Sequence, residues 1–465
     1  GANYISVLAP VFVLFYLEAP LMSTLQAIGK SMLTMKITTF GVIVKLLSLF
    51  LLSLCHIGIY SLVYSEIINI IFVVLLNAFY IKKYIQKYKY ELFIIIISIL
   101  AIFIRCMFFN VVSGDYKYFL EGWFNTLKAN GGIFAIKYHI GNYTAPYMLI
   151  LGILTYIPIK SLYTIKIVSV IFDFIGAFVG ARIVYKLCKN KKYKKFLSLC
   201  TYAAILFSPT VILNSAAWGQ CDMIYATFVL ASLLFLFDKK YTRAFIFLGI
   251  AFSFKLQTIF ILPLYIILYL KDEDMSILNF FMIPITVFVV NIPAILLGRP
   301  IKTLITQYMT QVGQYKELTM NLTNIYTFIP NYYKVFSTAG IIFTIFIFAM
   351  LTMFILSYKF EMNNKIILQI SILSILICNY FLPSMHERYI YIAGILGIIY
   401  FFIDRRKWYI PLGIISISFF CYINYLFDYL MFPKVIMAIV FLLIIIKLAI
   451  DLVKNIITQR SKEIC

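Results

Sequence analysis

Apolar runs of about 17 to 25 residues recur along the whole chain, and each is long enough to cross a bilayer as a helix. No other feature limits the possible folds so strongly. In hydrocarbon every backbone amide must be satisfied within the protein, so only helices and closed barrels span. The period-2 alternation of barrel strands is absent, which leaves helices. Composition agrees: 63% of the 465 residues are hydrophobic and 12% charged. That is about half the charged share of a soluble domain, too little to cover a water-facing surface. The expected fold class is an all-α, polytopic transmembrane helical protein.

The net charge of +22 would suit a nucleic-acid binder if the basic residues formed one exposed stripe. Instead they sit between apolar runs, at 82–91 (KKYIQKYKYE), 186–195 (KLCKNKKYKK), 238–243 (DKKYTR), 404–407 (DRRK) and the tail from Lys454. This is the positive-inside pattern, set by topology and anionic lipid. Membrane lipids are therefore expected partners, and nucleic acid is not. The eight cysteines are scattered singly, with neither disulfide framework nor zinc spacing. No cofactor is expected, and no ligand spacing indicates a divalent metal. The opening GANYISVLAP has neither initiator Met nor signal peptide and reads as a membrane helix already under way, as in a fragment or fusion.

Apolar runs at 5–25, 37–56 and 61–81 precede the charged stretch 82–91, the one expected domain boundary, giving segments 1–90 and 91–465. With 82–91 cytoplasmic, 92–112 crosses outward and a polar loop follows. If both 145–158 and 162–187 crossed, the basic stretch 186–195 would lie outside, against the charge rule. So 145–158 is expected in the interface or re-entrant, and the outer loop runs from 113 to about 161. Further spans at 196–212, 222–238, 243–256, 257–270, 275–297, 335–357, 366–382, 389–403, 408–425 and 432–452 keep every later basic cluster inside. They leave 209–221, 298–334, 382–388 and 426–431 outside.

The outer segments collect the chemically unusual residues. An ionisable group at membrane depth costs roughly 2.5–3.5 kcal/mol, so Arg105, Asp173, Asp222 and Lys255 need a reason to be there. Arg105 either snorkels or binds an anion, and Asp173 either ties helices together or acts in a site. Asp115 opens the first outer loop among Tyr116, Tyr118, Phe119 and Trp123. It is either a helix N-cap or a general base whose basicity desolvation would raise. Lys255, Arg388 and Arg105 together suit a phosphate. No Walker A or GxGxxG loop is present.

Six stretches in order also carry a resemblance: GDYKYFLEGW, NYTAPY, WGQCD, FKLQ, QVGQYKELTMNLTNIY and PSMHERY. Over about residues 92–452 the chain resembles the GT-C superfamily of glycosyltransferases, near bacterial proteins similar to the GPI mannosyltransferase 2 family. The resemblance implies a GT-C-like fold with interfacial helices in a large first outer loop. It implies an enzyme taking a hexose, mannose by analogy, from a polyprenyl-phosphate-linked donor. The acceptor would be a glycan, lipid or protein hydroxyl at the non-cytoplasmic face of the cell membrane. Asp115 matches the catalytic carboxylate of the first loop and Asp222 the acidic position after WGQ. Substrate or phosphate binding would fall to Arg105, Trp218, Gln220, Lys255, Gln257 and Tyr315, with Asn321, His386, Glu387 and Arg388. Some relatives carry paired acids in this loop; here the next acid after Asp115 is Glu121.

Residues 1–90, with YLEAPLMSTLQAIGKSMLTMKITTFGVIVKLL and IGIYSLVYSEIINIIFVVLLN, are similar to late helices of a MOP/MATE-type polysaccharide flippase of the stage V sporulation protein B kind. Two other readings compete with the enzyme: a flippase or transporter, and a non-catalytic scaffold. Transporters concentrate their charges near the midplane at broken helices in repeated halves. Here the polar residues lie in outer loops, without a visible repeat.

Overall fold

The computed structural model describes residues 12–54, 58–311 and 314–464. The opening GANYISVLAP, read as membrane helix, lies outside them, as do two residues of QVGQYKELTMNLTNIY. The chain divides into two compact units, Gly1–Ile96 and Ile97–Cys465.

The first unit contains α1 (Phe12–Ala27), α2 (Ser31–Leu54) and most of α3 (Tyr60–Cys106). Leu25, Ile37, Val73 and Ile81 form its small core. Gly41 lies so close to Asn69 and Val73 that an added Cβ would come within 2.6 Å of both, so α2 and α3 pack through a small residue. Phe40, Leu47 and Phe50 are exposed, as lipid-facing side chains are.

Within the charged stretch 82–91, α3 (Tyr60–Cys106) joins two helices across a kink at Tyr88, whose backbone is non-helical (φ −105°, ψ 16°). The stretch KKYIQKYKYE holds neither Gly nor Pro, so the kink has no helix-breaking residue as its cause.

The second unit continues with α4 (Glu121–Ala129), α5 (Ala145–Leu154), α6 (Ser161–Leu187), α7 (Lys194–Leu206) and α8 (Pro209–Ile212). After it come α9 (Asp222–Leu236), α10 (Tyr241–Phe254), α11 (Leu262–Lys271), α12 (Met282–Leu296) and α13 (Ile301–Gln311). It closes with α14 (Tyr333–Ser357), α15 (Asn364–Phe381), α16 (Tyr391–Ile403), α17 (Tyr409–Phe427) and α18 (Lys434–Ile464). The only strands among the described residues are two-residue pieces, β1 (Thr319–Met320) and β2 (Met385–His386), paired in parallel. Eight of the described helices are long and apolar enough to cross a membrane, so the protein is an all-α, multi-pass membrane protein. This is fewer full-length spans than the runs suggested, because several runs fold as shorter helices.

Hydropathy within each helix tracks its position. On α15 every residue from Ile366 to Tyr380 is buried. Two of its polar side chains turn back on their own helix, Ser371 to the Ile367 carbonyl (2.7 Å) and Asn379 to that of Ile375 (2.8 Å). On α14, by contrast, only Thr344 and Ile355 are buried, so it lies at the periphery. α5 has 10 residues, roughly 15 Å against a hydrocarbon core of about 30 Å, too short to cross. The expected span 196–212 is broken: α7 stops and the chain bends by 49° into α8. Pro209 accounts for the break, since it disfavours helix in the residue before it and cannot donate to the preceding turn.

The two ends of this bundle differ chemically. At one end the basic clusters are tied by ion pairs, Lys186 to Asp238, Lys365 to Asp404 (2.7 Å) and Lys407 to Asp451 (2.7 Å). At the other end meet the start of α9, the ends of α10, α15 and α17, and the loop before α4. The candidate residues gather there.

Candidate functional site

Asp115 follows α3 in a segment fixed from two directions. The Lys166 ammonium on α6 donates to the carbonyls of Phe108 (3.1 Å), Phe109 (3.0 Å) and Val111 (2.6 Å), closing the helix end. Ser113 Oγ then accepts from the Tyr116 amide (3.2 Å) and donates to the Trp218 carbonyl (2.7 Å). Ser113 therefore does the capping, and the Asp115 side chain makes no cap bond. The N-cap alternative for Asp115 falls away.

The carboxylate instead points at a ring of donors. Oδ2 accepts from Gln220 Nε2 (2.5 Å), Arg388 Nη1 (2.8 Å) and Trp218 Nε1 (3.1 Å). Oδ1 accepts from the Tyr425 hydroxyl (2.6 Å). Trp218 is fully buried, stacked on Tyr425 at 4.9 Å and edge-on to Tyr422 at 5.0 Å. Burial by itself pushes the Asp115 pKa up. The Arg388 cation and the bonds from Tyr425, Arg388 and Trp218 outweigh that and hold it below the ordinary aspartate value. The expected gain in basicity is thus reversed in this state, because the pocket that desolvates Asp115 also supplies donors.

Trp218 and Gln220 reach Asp115 because the chain turns sharply after α8. A π-turn, Leu213–Trp218, ends at Gly219 with φ +78°, and the Gln220 amide closes it on the Asn214 carbonyl (2.9 Å). A left-handed residue here favours glycine for conformational reasons alone, since an added Cβ would meet nothing nearer than 3.7 Å.

Asp222 begins α9 and pairs with Lys255, both side chains nearly buried (3% and 7% exposed). Its second oxygen accepts from Asn214 (2.7 Å). Counted by sequence among the catalytic candidates, Asp222 has its carboxylate taken up by these partners and lines neither cavity. It anchors Lys255, whose ammonium also stands over the Tyr143 ring at 5.3 Å. Tyr143 in turn donates to Gln220 Oε1 (2.8 Å), linking the Lys255 side of the site to the Asp115 side.

Arg105 does not join this cluster, contrary to its assignment as a phosphate ligand. Its Nε donates to Asp173 Oδ2 (2.8 Å), Nη2 to the Leu206 carbonyl (3.0 Å) and Nη1 to that of Ala101 (3.2 Å). Both side chains are buried, and Ser215 also donates to Asp173 (2.6 Å). A guanidinium so enclosed ties α3, α6 and α7 together. Asp173, paired with it, is likewise part of the helix packing.

Loop 382–390 arrives over this end through β2, which pairs Met320 with His386. Ser384, at φ 60°, donates to the carbonyls of Glu317 (2.8 Å) and Tyr315 (3.1 Å), fastening the two loops. Burial and then the Arg388 cation lower the His386 pKa to about 3, so the imidazole is neutral. Burial raises Glu387 to about 7, and neither of its carboxyl oxygens has a hydrogen-bond partner among the described residues.

Two cavities open side by side. The larger, about 410 Å³, is lined by Lys255, Gln257 and Arg388 against apolar walls that include Phe254, Ile259 and Leu382. The smaller, about 220 Å³, is lined by Asp115, Gln220, Asn321 and Tyr425 with Phe119 and Trp123. Tyr143, Tyr315, His386 and Arg388 belong to both walls. Of the sequence-derived candidates, Trp218 and Glu387 stand behind these walls. Sequence reading passed over Tyr425, Tyr143, Asn214 and Lys166. Tyr143 lay within a quoted motif, but Tyr425 sits 310 residues from Asp115 at a helix end with no local signal. No group of three or more His, Cys, Asp or Glu among the described residues could hold a metal ion. No protein-family model matches the chain, and no curated protein matches it either.

Proposed function

We propose that this protein is a membrane glycosyltransferase that moves a hexose from a polyprenyl-phosphate carrier to an acceptor hydroxyl. The reading rests above all on the paired cavities: one carries two cations among apolar walls, the other a carboxylate among aromatics, and Arg388 stands between them. The larger cavity suits a lipid phosphate, the cations meeting the charge and the apolar walls the first prenyl units. The smaller suits an acceptor whose hydroxyl reaches Asp115, with Trp123 and Phe119 to pack on a sugar face. Direct attack of that oxygen on the anomeric carbon would expel polyprenyl phosphate, and Asp115 would take the hydroxyl proton. Mannose is the sugar suggested by the GT-C resemblance. The basic clusters lie at the opposite helix ends, which favours a site on the non-cytoplasmic face of the cell membrane.

The test is to incubate purified protein in lipid with a panel of polyprenyl-phosphate sugars and acceptors, following release of polyprenyl phosphate. Acceptor-dependent release from one donor supports the reading. A full panel without release, from protein that remains folded, refutes it.

A further inference from the structure

Asp115 accepts four hydrogen bonds, about the full capacity of a carboxylate, and three of them crowd Oδ2. An acceptor hydroxyl therefore finds no free place on Oδ2 until one donor leaves. Three of the four are held. Trp218 is locked between Tyr422 and Tyr425. Gln220 is fixed at its other end by Tyr143. The Tyr425 ring is stacked on Trp218.

Arg388 differs on three counts. Its guanidinium lies over the Trp218 ring, 5.5 Å from the centroid, so it can shift across that face. Its Nε has no hydrogen-bond partner among the described residues. And it lines the larger cavity as well as the smaller. Resting on the glycosyl-transfer reading, we propose that Arg388 serves Asp115 and the donor phosphate in turn. Without donor it occupies Asp115; a phosphate entering the larger cavity draws it away and frees Oδ2 for the acceptor. The acceptor proton then passes to Asp115 Oδ2 as the new oxygen–carbon bond forms. The anomeric carbon–oxygen bond breaks with its electron pair going to the departing phosphate, which Arg388 now faces. Departure of polyprenyl phosphate returns Arg388 to Asp115. Donor binding thereby frees Oδ2 of the base that it needs.

The charge balance around Asp115 agrees with this. Arg388 is the cation that lowers its proton affinity. The other titratable groups near it are Tyr425 on α17, Tyr143 in the first loop, and His386 and Glu387 beside Arg388. Asp222 and Lys255, from α9 and the end of α10, neutralise one another.

The experiment is the pH dependence of transfer by the full chain in lipid nanodiscs. The acid limb of kcat/KM for donor reports the free enzyme, with Arg388 on Asp115, and that of kcat reports the ternary complex. The kcat limb should lie about one pH unit or more above the kcat/KM limb. Arg388→Gln should bring the two limbs together near the higher value. Tyr425→Phe should move both upward and preserve the gap. Glu387→Gln should also preserve it, which separates Asp115 from the group nearest neutrality. Coincident limbs in the wild type, or a gap that survives Arg388→Gln, would overturn the proposal in an enzyme that still transfers sugar. Absence of transfer with every donor would instead refute the parent reading. If Arg388→Gln does not fold, the wild-type limbs and the Tyr425→Phe shift decide the matter.

Discussion

Neutralising Lys255 separates a phosphate ligand from a structural partner. Sequence alone suggests that removing the Lys255 charge would weaken donor binding more than it disturbs folding. The structure says otherwise, because Lys255 and Asp222 face each other with 7% and 3% of their side chains exposed. Removing one member leaves an uncompensated charge in a low-dielectric place, which costs roughly 3–5 kcal/mol. Asn214 would remain on Asp222, but one charge-assisted hydrogen bond of about 1.5–3 kcal/mol does not replace the pair. Asp222→Asn should cost a similar amount by stranding Lys255. The double variant Lys255→Met, Asp222→Asn removes both charges, and the amide oxygen introduced by the second change can still accept from Asn214. It should therefore recover most of the loss, so the two single changes are strongly non-additive. Thermal unfolding of the four proteins in one detergent, followed by tryptophan fluorescence, measures the ranking. The double variant should unfold above both single ones yet remain inactive, since its larger cavity has lost a cation. A Lys255→Met protein as stable as wild type would refute the pairing.

Asp115→Asn removes the proton acceptor at nearly constant size. Transfer assays at saturating donor should show kcat lower by at least about 100-fold, roughly 2.7 kcal/mol, and near-native turnover would dismiss Asp115 as the base. Arg105→Met should lower the unfolding temperature by stranding Asp173 yet leave donor KM unchanged in whatever protein folds, and a raised KM would place Arg105 back in the site. Glu387 has its pKa raised from 4.5 to about 7, so its neutral form is the one that folding favours. Its contribution is fully present below about pH 4.5 and is lost as pH rises through about 7. Glu387→Gln should thus be more stable than wild type at pH 8 and equal to it near pH 4.5, as read by unfolding at the two pH values; parallel curves would rule out the buried, unpartnered carboxyl.

The sequence by itself determined that this is a helical membrane protein, and which side chains demand an explanation. Hydrophobic run length and the scarcity of charge are local properties, legible without coordinates. In a chain so poor in polar residues, Asp115, Gln220, Lys255 and Arg388 stood out, and the structure brings all four to one end of the bundle. Partnership was not legible. Arg105 and Lys255 look alike as isolated cations in apolar runs. Packing alone puts one against Asp173, 68 residues away, and the other at a cavity wall beside Asp222. The proton affinity of Asp115 was misjudged for the same reason. Burial could be inferred from its surroundings in sequence, but the opposing donors come from Trp218, Gln220, Arg388 and Tyr425, at least 103 residues away. A pKa is decided by whichever of desolvation and partners prevails, and the partners exist only once the helices have packed.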